Sequence, residues 1–307
     1  MSDSIATSET GDNAQLATFE QHRDRLFGIA YRMLGSVADA EDVVQDAYLR
    51  WHRADHSAVQ NAEAWLVTVT TRLAIDRLRT ATVERERYVG SWLPEPIATS
   101  AASAPDRNAE LASDLSMAFL VLLERLAPEE RAALLLRDVF DCGYDEIARV
   151  LDKSESACRQ IVHRARTRVR GERARFVVPA ETTERLLEKF LAALHADDRD
   201  AMLALMTDDA RFVADGGGKV LAIRNVLHGA LKIARFLLGI EGKWGRVTRH
   251  ELQWINGEPA IVTSFDGQLH STTSVESDGE RITAFYRVLN PDKLGHVAPI
   301  IADRPPG

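Results

Sequence analysis

The sequence predicts a multidomain protein: two all-α domains, then an α+β domain with a curved antiparallel sheet. Three observations carry this. From Gln15 to Arg175 apolar residues recur at helical spacing, with breaks at Gly35-Ser36, after Trp92, at Ala127-Pro128 and at Asp141-Cys142-Gly143. After Pro179 the texture changes to short alternating stretches. Those stretches are separated by Asn256-Gly257, Asp266-Gly267 and Asp278-Gly279, the dipeptides favoured in tight hairpins.

Residues 1–14 are polar and lack periodicity, so a disordered leader is expected, and no signal peptide. Leu26, Phe27, Ala30, Met33 and Leu34 form the stripe of a first helix. A second helix spans Asp39 to Arg53, and a third starts near Ala62 and runs through Trp65, Leu66, Val69, Leu73 and Leu78. Together they make a domain over 15–91. Trp92-Leu-Pro-Glu-Pro96 and the Ala/Ser-rich run that follows cannot build a core, so 92–110 is expected to be a linker. A second helical domain covers 111–176, with Pro128 where a helix can start.

From 177 to 307 the expected order begins with a helix over Thr183 to Met206 and a strand over Ala210 to Ala214. A glycine turn at Asp215 to Lys219 and a helix over Asn225 to Leu238 follow. Strands are expected over Thr248 to Ile255, Ala260 to Phe265, His270 to Glu276 and Arg281 to Leu289. The Gly-Gly-Gly-Lys run is not a phosphate loop, because Val220 follows the lysine where Ser or Thr is needed.

The chain carries 38 Lys+Arg against 46 Asp+Glu, a net charge of −8. Spread evenly, that would argue against a nucleic-acid partner. It is not evenly spread. Seven arginines between Ser154 and Arg175 face only Glu155 and Glu172. A solvated helix face is the competing explanation, so the fold must aim the run. The stretch Gly143 to Arg170 supplies the aim, because it divides around Asp152-Lys153 into two short helices, a helix-turn-helix. Ile147, Ala148 and Leu151 line the first, and Cys158, Val162, Ala165 and Val169 line the second. Ser156, Arg159, Gln160 and His163 then lie opposite that stripe, near the end a recognition helix inserts into the major groove. Arg or Gln there can read base edges, while Arg164 and Arg166 suit phosphates. Cys158 is a small core residue, and His163 has no second ligand at metal-binding spacing. Two cysteines make no disulfide framework and fit a reducing cytoplasm, and no apolar run approaches the ~18 residues of a membrane span.

Two blocks narrow the function. Asp39 to Ala54 (DAEDVVQDAYLRWHRA) with Ala64 to Arg79 (AWLVTVTTRLAIDRLR) resembles region 2 of the sigma-70 family of bacterial initiation factors. Leu126 to Arg166 resembles region 4. Both blocks, in order and joined by a linker, resemble the compact extracytoplasmic-function sigma factors. The resemblance implies an alternative sigma factor that binds core RNA polymerase and promoter DNA. It implies that region 2 reads the −10 element, with Trp65, Arg72, Asp76, Arg77 and Arg79 as the candidate residues, and region 4 the −35 element. The acidic helix face of Asp39, Asp42 and Asp46, with Gln45, is implied to dock the polymerase. Thr68 and Thr71 stand where many relatives carry Arg, Arg72 where they often carry Asn, and Ile161 where a basic residue is frequent. The promoter sequence therefore does not transfer by analogy.

Residues from about 180 to 295 resemble the cone-shaped SnoaL-like domains, some of which are enzymes with an acid or base in an apolar pocket. Asp215, His228, His250 and His270, with Trp244 and Trp254 as pocket walls, are the candidates for such a pocket. No motif orders them into a catalytic or metal site, so no enzyme activity and no cofactor is expected. Three motifs resemble one sigma subgroup with this extra domain: Trp92 to Pro96 (with Trp92 and Pro94), Asp215-Gly216-Gly217-Gly218-Lys219 and Asn290-Pro291-Asp292-Lys293-Leu294. They imply that the extra domain packs on the linker and helical domains as a built-in regulator needing no separate anti-sigma factor. The alternative is a domain that binds or turns over a small molecule.

Overall fold

The computed structural model describes residues 3–99, 115–173, 178–244 and 248–297, with side chains from residue 13 and up to 169 at the ends of two helices. The side chains of Arg170 and Arg173, the whole of Arg175 and most of the Ala/Ser run therefore lie outside what is described. The chain divides into two compact units, Met1–Glu86 with Leu123–Gly171 and Arg87–Leu122 with Glu172–Gly307.

The first unit is helical. α1 (Asp3–Leu34) ends at Gly35, whose φ of 65° is the left-handed conformation that stops a helix. α2 (Val37–His52) starts at Ser36, whose hydroxyl accepts from Asp39 N at 3.3 Å. α3 (Ala62–Arg85) is capped by Asn61, which accepts from Ala64 N at 2.9 Å. The leader expected over 1–14 is, from Asp3, the first part of α1: extending a helix already anchored by packing adds little cost per residue. Leu26, Ile29, Met33 and Leu34 are buried together with Val43, Ala47, Leu66 and Leu78 of α2 and α3.

α4 (Met117–Leu123) bridges the unit boundary in sequence, and α5 (Pro128–Asp138), α6 (Tyr144–Leu151) and α7 (Glu155–Arg173) complete the first unit. Glu130 accepts from Ala127 N at 3.2 Å and Glu146 from Gly143 N at 2.8 Å, so α5 and α6 each begin on a side-chain cap. Asp152 takes φ 54° between α6 and α7, at the turn expected around Asp152-Lys153.

The second unit contains α8 (Ala180–His195), α9 (Arg199–Ala204), α10 (Ala230–Trp244) and a six-stranded sheet in the order β2-β1-β6-β5-β4-β3. The strands are β1 (Met206–Asp215), β2 (Leu227–His228), β3 (Thr248–Ile255), β4 (Glu258–Phe265), β5 (Gln268–Ser277) and β6 (Ile282–Val288). Four expectations need correction. The helix expected over Thr183 to Met206 is two, because Asp197 sits at φ 54° and Asp198 starts a new helix by accepting from Ala201 N. The next helix begins at Ala230 rather than Asn225, because Leu227 and His228 pair with β1. β1 runs parallel to β6, so the sheet is mixed. Asp278-Gly279 is no two-residue turn: Asp278 accepts from Glu280 N and Arg281 N within a longer loop. Asn256-Gly257 and Asp266-Gly267 have positive φ at both positions, as a tight hairpin requires.

The 92–110 stretch is no free linker where described. Leu93 (1% exposed) is buried with Met117, Ala284, Tyr286, Val288 and Leu294, and residues 97–99 bond β3 and the β3–β4 turn through Ile97 N to Asn256 Oδ1 (2.9 Å) and Thr99 N to Trp254 O (2.8 Å). Buried apolar area outweighs the absence of periodicity in so short a segment.

Candidate functional site

Three surfaces collect the candidate residues. On α2, Val37, Ala40, Val43, Val44, Ala47 and Trp51 point inward, which leaves Asp42, Gln45 and Asp46 exposed on the opposite side. Glu41 is exposed beside them and adds a fourth polar position that the heptad-like spacing does not flag. Asp39 departs from the expected face, because its carboxylate accepts from Arg77 Nε at 2.8 Å. Arg77 also pairs with Glu84 at 3.1 Å, so two candidate residues assigned to different partners neutralise each other.

On α3 the stripe Leu66, Val67, Thr70, Thr71, Ala74, Ile75 and Leu78 is buried. Thr71 is therefore a core position, and Thr68 bonds back to Ala64 O at 2.7 Å. Trp65 is half-buried with its ring 5.4 Å from that of Trp51, while Arg72, Asp76 and Arg79 are exposed. Arg72 donates to Val150 O at 2.9 Å and Arg149 O at 2.6 Å, meeting carbonyls that the C-terminal end of α6 cannot satisfy internally. Arg79 bridges Asp76 (2.9 Å) and Glu129 (3.2 Å), and Lys153 reaches Glu129 at 3.3 Å. Arg72 cannot donate to these carbonyls and to a base edge at once.

On α7, Cys158, Ile161, Val162, Ala165 and Val169 are buried, and Ser156, Arg159, Gln160, His163 and Arg164 are exposed on the other side. Ile161 is buried and extends the stripe. Burial pushes the Cys158 and Cys142 thiols up, keeping both protonated. Arg159 lies 4.3 Å over the Tyr144 ring and 2.9 Å from Glu155. Arg166 is held by both oxygens of Asp138 at 3.1 and 3.2 Å, so it is less free for phosphate than Arg164.

In the second unit the three short motifs meet at Asp215, which is fully buried. Its Oδ1 accepts from Tyr88 OH at 2.6 Å and Gly217 N at 3.0 Å; its Oδ2 accepts from Leu93 N at 2.9 Å and Lys293 Nζ at 2.7 Å. Its carbonyl takes Leu289 N and Asn290 N. Asn290 caps the turn Pro291–Lys293 and donates to Tyr88 OH at 2.9 Å. Lys293 sits 4.2 Å from the Trp92 ring, Pro94 is buried, and Leu294 joins the Leu93 cluster. Gly217 has φ 60°, and a Cβ there would meet Asn290 Nδ2 at 2.3 Å, so the glycine run serves a close approach. Gly216 and Gly218 flank it, and Lys219 pairs with Asp292 at the surface. Tyr88 is not legible as a partner in the sequence because no motif marks it. Asp215 is thus a buried structural acceptor, all four of its side-chain bonds being made within the protein.

Of the other pocket candidates, His228 is exposed and Trp244 is 44% exposed. His250 and His270 belong to a polar patch on the helix-facing side of the sheet. His250, Thr263 and Ser271 lie in register across β3, β4 and β5, and Leu252, Ile261, Thr273 and Arg287 form the next row. Ile261, Val275 and Phe285 pack with Phe190 and Ile233, which fixes that face toward α8 and α10. Arg287 donates to Ser271 Oγ at 3.1 Å, and its enclosure pulls the guanidinium down to about 10. Burial, then the Arg287 charge, holds His270 below its ordinary value.

At the other end of β4, burial and then Glu276 push Glu258 up to about 7. The folded state binds this proton more tightly than the unfolded chain, whose carboxyl titrates near 4.5. Stability is therefore fullest below about pH 4.5 for this group and falls as pH rises toward 7. Glu258→Gln is expected to remove that decline and to raise stability at pH 8 by about 1–2 kcal/mol, allowing for partial solvation. Urea unfolding at pH 5 and 8 checks it, and identical pH slopes in both proteins would refute it.

The Sigma-70 region 2 family matches residues 18–83, and the Sigma-70 region 4 family matches residues 116–169. The chain is 35% identical over 291 residues to the ECF RNA polymerase sigma factor SigJ of Mycobacterium tuberculosis, covering 91% of this chain and 93% of that one. It is 28% identical to the probable ECF RNA polymerase sigma factor SigI of the same species, covering 91% and 94%. The crystal structure of the M. tuberculosis SigJ factor aligns with a TM-score of 0.74 at 34% identity, over 92% of this chain and 98% of that one. No helix among the described residues is long and apolar enough to cross a membrane. With both sigma regions in order and a relative matched over more than nine-tenths of both chains, the chain belongs to the extracytoplasmic-function RNA polymerase sigma factors.

Proposed function

We propose that the C-terminal α+β domain is a built-in regulator of this sigma factor, acting through the linker it holds. The chain directs promoter-specific transcription initiation by RNA polymerase, as its family does. On this reading Asp42, Gln45 and Asp46 meet core polymerase, and Trp65, Asp76, Arg79 and, on leaving the α6 carbonyls, Arg72 meet the −10 element. Ser156, Arg159, Gln160, His163 and Arg164 meet the −35 element, with no separate anti-sigma factor required. The observation that carries the regulator is Asp215, which binds Leu93 of the linker and Tyr88 just before it together with Lys293. A linker with its bonds committed to one domain has less reach than a free one, and reach sets how far the two sigma regions can separate.

Transcription in vitro with core polymerase tests this, comparing the full chain with chains ending at Leu289 and at Phe176. Losing the Asn290 to Leu294 turn is expected to change promoter output about 5-fold or more, an ordinary coupling energy. Equal output and equal core affinity for all three would end the regulator reading. A second reading, a domain that binds a small ligand, is favoured by the polar groups Arg287, Glu241 and His250, which lie beside the packed apolar cluster on the helix-facing side of the sheet.

A further inference from the structure

That same side brings together three metal-ligating side chains from three separate elements. His195 ends α8, Glu241 lies in the last turn of α10, and His250 is in β3; one ligand atom from each lies within 4.8 Å of the others. His250 Nε2 and Glu241 Oε2 are 3.2 Å apart. Two ligands at ~2.0–2.1 Å from a tetrahedral ion are separated by roughly 3.3 Å, so this edge is already formed. His250 and Glu241 are set, with side chains 8% and 17% exposed, whereas exposed His195 closes the remaining gap by rotation. His250 Nδ1 lies 3.1 Å from Thr263 Oγ1, the outer hydrogen bond that fixes an imidazole ligand's ring.

A plain His–carboxylate hydrogen bond would need only His250 and Glu241. It gives no role to His195, whose ring centroid is 5.4 Å from that of His250. Two imidazole nitrogens and a carboxylate oxygen converging from three elements offer three lone pairs to one point, which a cation can accept.

The geometry points to a divalent transition-metal site, zinc in class, held by His195, Glu241 and His250 with its fourth position open. Three protein ligands of N, N and O type leave that position for an exogenous ligand. Arg287, which bonds Ser271 in the same strand row as His250 and Thr263, puts a positive charge on this face, which favours an anion there.

The site deepens the ligand-binding reading of the C-terminal domain. Untagged full-length protein is stripped with chelator, dialysed against Zn2+ and analysed for metal. A Co2+-loaded sample reports four-coordination through its visible d–d bands. One equivalent of Zn2+ is expected, with affinity falling at least 10-fold in His195→Ala and in Glu241→Gln. Because His195 is exposed, His195→Ala keeps the fold, and Zn2+ is expected to raise the melting temperature of the parent but not of this variant. No stoichiometric ion, or equal retention in His195→Ala, would overturn the metal site. Transcription that still responds to C-terminal truncation would then leave the regulator standing.

Discussion

Asp215→Ala is expected to destabilise the C-terminal unit by about 3–5 kcal/mol, the cost of removing one member of a buried ion pair. The carboxylate accepts four hydrogen bonds, from Tyr88, Leu93, Gly217 and Lys293, and is fully buried. Its loss strands donors from three segments far apart in sequence and removes the charge facing the Lys293 ammonium, whose side chain is 12% exposed. Burial, then Asp215 itself, pushes the Tyr88 phenol up, so it stays a donor at any physiological pH. Lys219→Ala provides the contrast, since that lysine and Asp292 are 53% and 60% exposed and their pair is worth less than about 1 kcal/mol. Urea unfolding compares the two variants, and amide exchange at residues 88–99 reports whether the linker has come loose. A cost below about 1 kcal/mol for Asp215→Ala, or unchanged exchange in the linker, would refute this account of the buried carboxylate.

How much of this is legible in the sequence differs by element, for physical reasons. The stripe Cys158, Val162, Ala165 and Val169 has helical period, so its buried side and the exposed Arg159, Gln160 and His163 opposite can be read from residue spacing alone. The hairpins at Asn256-Gly257 and Asp266-Gly267 are legible because only those residue types accept two consecutive positive φ values at low cost. The burial of the linker is hidden because it depends on Leu93 meeting Tyr286 and Leu294, contacts about 200 residues away that leave no local pattern. The pairing of Asp39 is hidden for the same reason, since Arg77, 38 residues on, reaches back to it. The motifs mark Asp215 and Lys293 as belonging together, but not why. The answer is a buried charge pair, and Tyr88, Asn290 and the positive φ of Gly217 exist around it.

The first unit carries a comparable device, and Glu124→Ala is expected to cost it about 3–5 kcal/mol. Glu124 receives Arg131 at 2.8 Å and also Arg85, with side-chain exposures of 2% for Arg131, 15% for Arg85 and 23% for Glu124 itself. Arg131 also donates to Met33 O at 2.7 Å and Arg85 to Leu34 O, so one carboxylate joins the end of α1, the end of α3 and the start of α5. Burial pulls Arg85 down, and Glu124 is the group that opposes this most. Without Glu124, two guanidiniums in low dielectric face each other without the carboxylate that bridges them, which costs more than the lost hydrogen bonds. The urea midpoint should fall while the m-value holds, because the surface exposed on unfolding is unchanged. The deficit should also persist at 1 M salt, since a buried network is screened far less than exposed pairs such as Arg79–Asp76. A deficit that disappears in salt would mean the triad behaves as a surface network. α3 would then be held by its apolar stripe and, at its middle, by Arg72 on the α6 carbonyls.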